Sequence, residues 1–491
     1  MGPARAGMRA MNLAAVIDAH PDDHIALISG DRAITYGDLR RHVAGARGAL
    51  AAAGVEPGDR VALVADNEPT FVVAYLAILG LGAVAVPLNP TSPEPELARE
   101  LAVVDARVAV VADDRDLPGV TILRRDALAG DPDAAPVVDR AATDLAVLVF
   151  TAGTAGSPKA AKLTHGNLLA NLDQVRAHPG RDVYAHDVGL GVLPLFHIFG
   201  LNVVLGLLLQ AGGTVVLERR FDPAESIALI ARHGVTLVAG APPMYRAWAE
   251  VPAGAANADA FSGVRLATSG AAPLGEDVAA AFTGRYGLFI HQGYGLTEAA
   301  PVVTSSLLDQ PPRPGSIGVP LPGVDVRLVD DEGEDALVGD PGEIRVHGPN
   351  VFGGYWEDDA ATAAALTSDG WLRTGDIAVA DDSGHLYLVD RAKDLIIVSG
   401  FNVYPAEVEE VLLEHPGIAE VAVVGVPAAA TGEAVKAFVV RAPGAGVSEA
   451  DVTEFAAGRL ARYKAPSEVS FVDELPRAVA GKVLRRQLRP A

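Results

Sequence analysis

Hydrophobic and polar positions along this chain alternate in two rhythms. The segment Ile34–Leu39 opens a helical pattern that runs toward Ala53, Gly54-Val-Glu-Pro-Gly58 stops it, and Arg60–Ala65 then reads as a short strand. Between residues 143 and 291 the beat is regular. Apolar runs at Leu145–Phe150, Gly213–Leu217, Val235–Ala239 and Val264–Thr268 are strand-like, and His165–Ala177, Pro223–His233, Pro242–Glu250 and Gly275–Tyr286 carry the helical period. Strands alternating with helices predict a mainly parallel sheet covered on both faces, with ligands at the C-terminal ends of its strands. From 315 to 390 glycines multiply and strands dominate, at Val324–Val329, Gly342–His347 and His385–Val389, which predicts a small β-rich subdomain. A charged break at Asp390–Asp394 precedes a further α+β module: a helix at Pro405–His415, strands at Ala419–Val426 and Val435–Arg441, a helix at Glu449–Arg462 and a strand at Val469–Val472. The expected fold class is α/β: a large N-terminal domain of mainly parallel sheets sandwiched by helices, the β-rich subdomain, and a small α+β C-terminal domain.

Composition narrows the function classes. Thr70–Pro93 carries no charge and Val188–Leu217 only His197, yet Gly and Pro interrupt both, so buried core is expected there and not a membrane span. With Lys+Arg 39 against Asp+Glu 62, the formal charge of −23 disfavours nucleic acid or anionic lipid as a partner. Any phosphate must be held by a local pocket. The absence of cysteine excludes disulfides, zinc thiolates and thiol catalysis and fits a reducing, cytoplasmic setting. No apolar run follows Arg5 and Arg9, so no signal peptide is expected.

Six segments carry candidate chemistry. Thr151-Ala-Gly-Thr-Ala-Gly-Ser-Pro-Lys159 follows a strand; small residues let backbone N–H groups approach phosphate, and Lys159 adds a charge, though a surface turn also fits and no Walker spacing is present. His197 lies in the apolar segment Leu193–Gly200, where a core histidine is the plainer reading. In His291-Gln-Gly-Tyr-Gly-Leu-Thr-Glu298, Tyr294 can stack on a base, Thr297 can reach a phosphate and Glu298 can hold Mg²⁺, although a capped turn is the alternative. Asp376, in Trp371–Asp376, is an acidic acceptor suited to ribose hydroxyls, and Asp390–Gly400 is a charged turn. Near the end, Lys482 follows Gly481 in a segment that also reads as a solvated tail.

Together and in this order, the six segments resemble the adenylate-forming superfamily of acyl-CoA synthetases, peptide synthetase adenylation domains and luciferases, over about residues 25–485. The resemblance implies an N-terminal domain at 12–390, a hinge at 391–393 and a mobile C-terminal domain at 394–491. It implies ATP, Mg²⁺ and coenzyme A as partners of a small-molecule carboxylic acid, in a chain that forms an acyl-AMP and then a thioester, with a homodimer open. Lys482, His197, Thr297 and Glu298 take the catalytic positions, with Glu298 at the metal. Nucleotide positions are Thr151, Ala152, Gly153, Thr154, Ala155, Gly156, Lys159, Gly270, Ala271, Ala272, Gln292, Gly293, Tyr294, Gly295, Asp376 and Arg391. Lys393 matches the hinge, and Ser399 and Gly400 the loop that enters the site for thioester formation. The phosphate loop departs from the family pattern at Ala152, Ala155 and Ala160, which stand where Ser, Thr and Gly are usual. Two hydroxyl donors are thereby missing, at about 1.5–3 kcal/mol each if they bind phosphate.

By the same resemblance, His197, Ile198, Phe199, Asn202, Val203, Gly240, Ala241, Met244, Gly270, Gly293, Val302 and Val303 line the acyl pocket. His197 stands where amino-acid activators carry Asp, and Ala299–Ser306 lacks the Arg of malonate activators, which disfavours both substrates. A medium- or long-chain fatty acid is expected first and an aryl or arylpropenoic acid second. An acyl-AMP ligase loading a carrier protein and a non-catalytic nucleotide-binding homologue are the rival functions.

Overall fold

The structure, a computed structural model, describes residues 12–151, 158–179, 183–252, 259–330, 332–391, 396–476, 483 and 485–489. Two large sheets make up the N-terminal portion. The first has six strands, with Arg60–Val64, Val84–Leu88, Val108–Val111, Thr121–Arg124 and Leu145–Thr151 parallel and Lys159–Thr164 antiparallel at one edge. The second is a 13-stranded path whose middle, from Ile290–Gly295 through Leu266–Ser269, Leu237–Gly240, Val188–Gly191 and Thr214–Leu217 to Ile25–Ser29, is parallel as expected.

The β-rich segment is not separated from that sheet. Val302–Ser305 pairs antiparallel with Ile290–Gly295 and then with Ser316–Pro320, so the ladder runs without a break into the strands of 325–391. Bulges in this run absorb the extra residues that the glycines permit.

Local chemistry explains why the helices begin where they do. Thr35 accepts from the Asp38 amide to start Tyr36–Ala52, Thr164 and Asn167 form a capping box on His165–Ala177, and Asp222 accepts from Ala224 and Glu225 to start Pro223–His233. The uncharged stretch after Thr70 is a helix, Pro69–Gly80, buried along nearly its whole length, followed by the buried strand Val84–Leu88. Among the described residues no helix is long and apolar enough to cross a membrane. The expected Glu449–Arg462 helix ends at Ala457, because Gly458 caps it and Leu460 and Ala461 turn inward to bury.

The C-terminal module has its own five-stranded sheet and its own core. A long antiparallel pair, Ile418–Ala428 with Gly432–Arg441, forms its backbone.

His165 ties the first described residues to the body of the domain. Its ring is fully buried, and the Leu13 amide donates to Nδ1 at 3.0 Å. Burial first, and Arg140 second, pull its pKa down to about 4. An unfolded chain therefore takes up a proton near pH 6.5 that the folded state refuses, so stability present above pH 6.5 is lost as pH falls toward 4. The expected loss is about 2 kcal/mol by pH 5. Thermal melting at pH 7 and pH 5 checks this: His165→Asn, which keeps an acceptor and removes the titration, should show a distinctly smaller drop in Tm than the wild type.

Candidate active site

One cavity of about 350 Å³ opens at the C-terminal ends of the parallel strands Leu266–Ser269 and Ile290–Gly295, where α/β sheets bind ligands. Its wall gathers residues from distant segments: Thr151 and Lys159, His197, Gly270, Tyr294, Thr297 and Glu298, Asp376, and Gly400 from the C-terminal module.

The end of the cavity expected to take the nucleotide is built around two hydrogen-bonded pairs. The Tyr294 hydroxyl donates to Asp376 Oδ2 at 2.8 Å, which fixes an aromatic ring beside an anionic acceptor. Asp376 is set by a tight corner in which Thr374 Oγ1 accepts from its amide at 3.1 Å and Gly375, at φ +72°, adopts a conformation costly for other residues. The second pair is Tyr355 and Glu298: the phenol donates to Oε1 at 2.7 Å. Burial and the adjoining Glu298 carboxylate hold that phenol protonated far above the usual tyrosine range. Lys159 Nζ lies 5.4 Å over the Tyr355 ring, so a cation, a phenol and a carboxylate line up at the end expected to take phosphates. Between these pairs, Ala271 adopts φ +67°, a strained conformation for a residue with Cβ, and turns the Ser269–Ala272 backbone along the wall.

Glu298 suits Mg²⁺, which takes one or two carboxylates together with phosphate oxygens. Among the described residues there is no cluster of three or more His, Cys, Asp or Glu that could hold a metal without such a ligand.

At the other end lie His197, Ile198, Phe199, Val203, Gly270, Gly293 and Val302. His197 Nδ1 accepts from the Phe199 amide at 3.2 Å. Burial pulls its pKa to about 4, so the ring is neutral near pH 7. Phe199 begins a π-helical stretch, Phe199–Gly206, whose wide turn aims Phe199 and Val203 at the cavity. The ring of Phe199 lies 3.1 Å from where a Cβ on Gly270 would sit, closing that side.

Several expected lining residues lie elsewhere. Asn202 is buried and donates to the carbonyls of Leu168 and Ala300, at 3.2 and 2.8 Å, making it a structural tie. Val303 is fully buried in the main core, and Gly240 backs onto Tyr245, Trp248 and Met244. Met244 packs against two of the N-terminal core clusters. Ala241 does not line the cavity; its Cβ abuts Gly400. Ala271, Ala272, Gln292 and Gly295 are in the wall as expected. Ser399 stands beside it at φ +53°. Arg391 pairs through its backbone with Asp376. Ala152, Gly153, Thr154, Ala155, Gly156, Lys393 and Lys482 lie outside the described residues.

Tyr355, Arg373, Ser305, Asn402 and Tyr404 also line the cavity and were not anticipated. Only Tyr355 had a signal, the Gly353-Gly354 pair that lets the chain bring an aromatic ring against a strand.

The C-terminal module closes the cavity. Gly400, at φ +86°, touches down between Ala241 and Ala271, where a Cβ would meet theirs at 3.1 and 3.5 Å. Phe401 stacks on Phe196 at 6.1 Å between ring centres and meets His197 edge-on at the same distance.

Residues 13–356 match the AMP-binding enzyme family and residues 407–482 match the AMP-binding enzyme C-terminal domain. The chain is 41% identical to a feruloyl-CoA synthase of Amycolatopsis sp, over 94% of its own length and 95% of that protein. It is 35% identical to a long-chain-fatty-acid–CoA ligase of Bacillus subtilis, over 95% and 91% of the two chains. A solved double mutant of o-succinylbenzoate CoA synthetase from Bacillus subtilis, bound with its product analogue, superposes with a TM-score of 0.88 at 30% identity, covering 98% of each chain.

Proposed function

This chain belongs to the AMP-binding enzyme family and is an AMP-forming acid–CoA ligase that uses ATP, Mg²⁺ and CoA, and on that premise we propose that its acid is a compact aromatic one of the arylpropenoic class. The depth of the acyl end carries this reading. A long chain needs a channel beyond Val203 and Val302, and the residues that would open one are committed to packing: Asn202 to two backbone carbonyls, Val303 to the core, Gly240 to Tyr245 and Trp248. Phe199 against Gly270 makes a flat apolar wall of the kind an aromatic ring fills. The 41% identity to a feruloyl-CoA synthase supports the same class.

The chemistry runs in two steps. A carboxylate oxygen attacks the α-phosphorus of ATP, the bond to the β-phosphate oxygen breaks, and pyrophosphate leaves. The thiol sulfur of CoA then attacks the acyl carbon of the mixed anhydride, and AMP leaves with the bond electrons. In the first step negative charge grows around the α-phosphate, and preorganised cations and donors favour it. We assign Lys482 and Thr297 to that phosphate, Lys159 and residues 151–156 to the phosphate tail, Tyr294 and the Gly270–Ala272 turn to adenine, and Asp376 with Arg391 to ribose. Glu298 would hold Mg²⁺, which would supply positive charge to the phosphate oxygens. Neutral His197 positions the acyl end, since a charged ring would hold the carboxylate back from attack. For the second step, Lys393 is assigned as the hinge of the C-terminal module. Gly400 packed in the cavity wall fits thioester formation, because a glycine there leaves a passage that any side chain would narrow.

A fatty acid is the second reading, favoured by the 35% identity to a long-chain-fatty-acid–CoA ligase. Pyrophosphate release and acyl-CoA formation, measured over hydroxycinnamic acids and saturated acids from eight to sixteen carbons, test the choice. The expected result is kcat/KM at least tenfold higher for the aromatic acids. A maximum at dodecanoate or palmitate would replace the proposed substrate with a fatty acid, and pyrophosphate release without acyl-CoA would point to a carrier protein as acceptor.

A further inference from the structure

Away from the cavity, four buried ionisable side chains meet across the junction of the two portions of the chain. Glu96 and Glu100 lie on the helix Glu94–Val103 of the N-terminal portion. Glu407, on the helix Pro405–Leu413, and Lys464 belong to the C-terminal module. Lys464 Nζ sits 2.5 Å from Glu96 Oε1 and 2.7 Å from Glu407 Oε1, and the side chains of Lys464, Glu96 and Glu407 are only 6, 4 and 5% exposed. Glu96 Oε2 accepts from the Ala461 amide at 2.5 Å, and Arg99 donates to the Arg459 carbonyl at 3.1 Å. One oxygen each of Glu100 and Glu407 is buried without a hydrogen-bond partner. None of these residues lines the catalytic cavity.

Such a cluster is poor glue and a good selector. Desolvating charges offsets most of their attraction, but any docking that leaves one of them buried and unpaired is strongly disfavoured. Lys464 and Glu407 travel together with the module, while Glu96 and Glu100 stay behind. The four groups are therefore matched only when the module sits as seen here, with Gly400 in the wall. Resting on the two-step ligase reading above, we propose that Glu96, Glu100, Glu407 and Lys464 are positioning residues that select the thioester-forming arrangement of the C-terminal module and leave adenylation untouched.

The charge balance adds a second readout. The cluster holds more carboxylates than ammonium groups, and burial, with Glu96 beside it, pushes Glu100 up to about 8. The other groups facing it are Lys464, Glu407 and Arg99, and close by stands Tyr463, whose buried phenol stays protonated. Docking thus takes up a proton on Glu100. The docked arrangement is favoured below pH 8 and loses that advantage as pH rises through it.

Two half-reactions and one distance test the proposal. Adenylation is read as pyrophosphate exchange, thiol transfer as single-turnover acyl-CoA formation from supplied acyl-AMP. Docking is read by energy transfer between dyes on Arg107→Cys and Asp473→Cys, which the cysteine-free chain allows to be placed cleanly. For Glu96→Gln and Lys464→Met, thiol transfer is expected to fall at least tenfold, adenylation to stay within twofold, and the high-transfer docked population to shrink. Glu96→Asp should recover part of the loss. Glu100→Gln, which mimics the protonated acid, should abolish the decline of thiol transfer above pH 8. Equal loss of both half-reactions, or an unchanged docked population, overturns the proposal. Should the wild type make no acyl-CoA while Lys464→Met still undocks the module, the ligase reading fails and the cluster's positioning role stands.

Discussion

Replacing Glu298 by glutamine is expected to slow pyrophosphate release by about 10²–10³-fold, the range that removing one preorganised charge-stabilising group produces. The substitution keeps the side chain's shape, and its amide oxygen can still accept from the Tyr355 hydroxyl, which now donates at 2.7 Å. What it removes is the carboxylate assigned to Mg²⁺. Without that anion the metal and its phosphate contacts lose a fixed partner, and charge developing on the α-phosphate must be met by Thr297 and lysines alone. The loss should appear in kcat and in a higher Mg²⁺ requirement together, and raising Mg²⁺ should recover part of the rate. Tyr355→Phe is the informative companion. It leaves the charge but frees Glu298 to rotate, so a smaller loss of about tenfold is expected, close to one hydrogen bond to a charged group. A Glu298→Gln enzyme with an unaltered Mg²⁺ profile would remove Glu298 from the metal's surroundings.

How far these features were legible in the sequence depended on whether the signal was local. Three helices opened by Thr, Asp or Pro were placed to the residue, His165–Ala177, Pro223–His233 and Pro242–Glu250, because caps and proline act over one turn, while the helix opened by Pro405 ends at Leu413, two residues short of the expected His415. Strand limits drifted by a residue or two, as at Leu237–Gly240, since pairing with distant strands decides them. Most segments that gather at the cavity were readable because each is a strand end or turn of small and polar residues, whereas the apolar segment of His197 was placed by the family resemblance. The acyl pocket was legible only in part, with seven of its twelve expected residues in the cavity wall. Asn202 looked like pocket lining from its place after His197, but the π-helical turn rotates it inward to the Leu168 and Ala300 carbonyls. Tyr355 was missed because its partner Glu298 is 57 positions away. The Glu96–Lys464 contact spans 368 positions, and Glu96 on a helix that also carries Glu94, Arg99 and Glu100 reads as a solvated face until the second portion of the chain covers it.

The Asp376–Tyr294 pair supports a second large effect. A ribose presents two adjacent hydroxyls, and one carboxylate accepts from both, each such charge-assisted bond contributing about 1.5–3 kcal/mol. Asp376→Ala should therefore lower kcat/KM for ATP by about 10²–10³-fold. Part of that loss is indirect, since the Tyr294 hydroxyl gives up its 2.8 Å acceptor and the ring assigned to adenine loses its anchor. Tyr294→Phe isolates this component. It keeps ring and carboxylate and breaks only the link between them, so a loss of about tenfold or less is expected. Initial rates over a range of ATP at saturating acid distinguish the outcomes. If Asp376 acts on ribose, the change falls on the ATP dependence while KM for the acid holds steady. Were Asp376 merely the acceptor that positions Tyr294, Asp376→Ala and Tyr294→Phe would be equally impaired. The predicted inequality between those two variants is what separates a ribose ligand from a structural carboxylate.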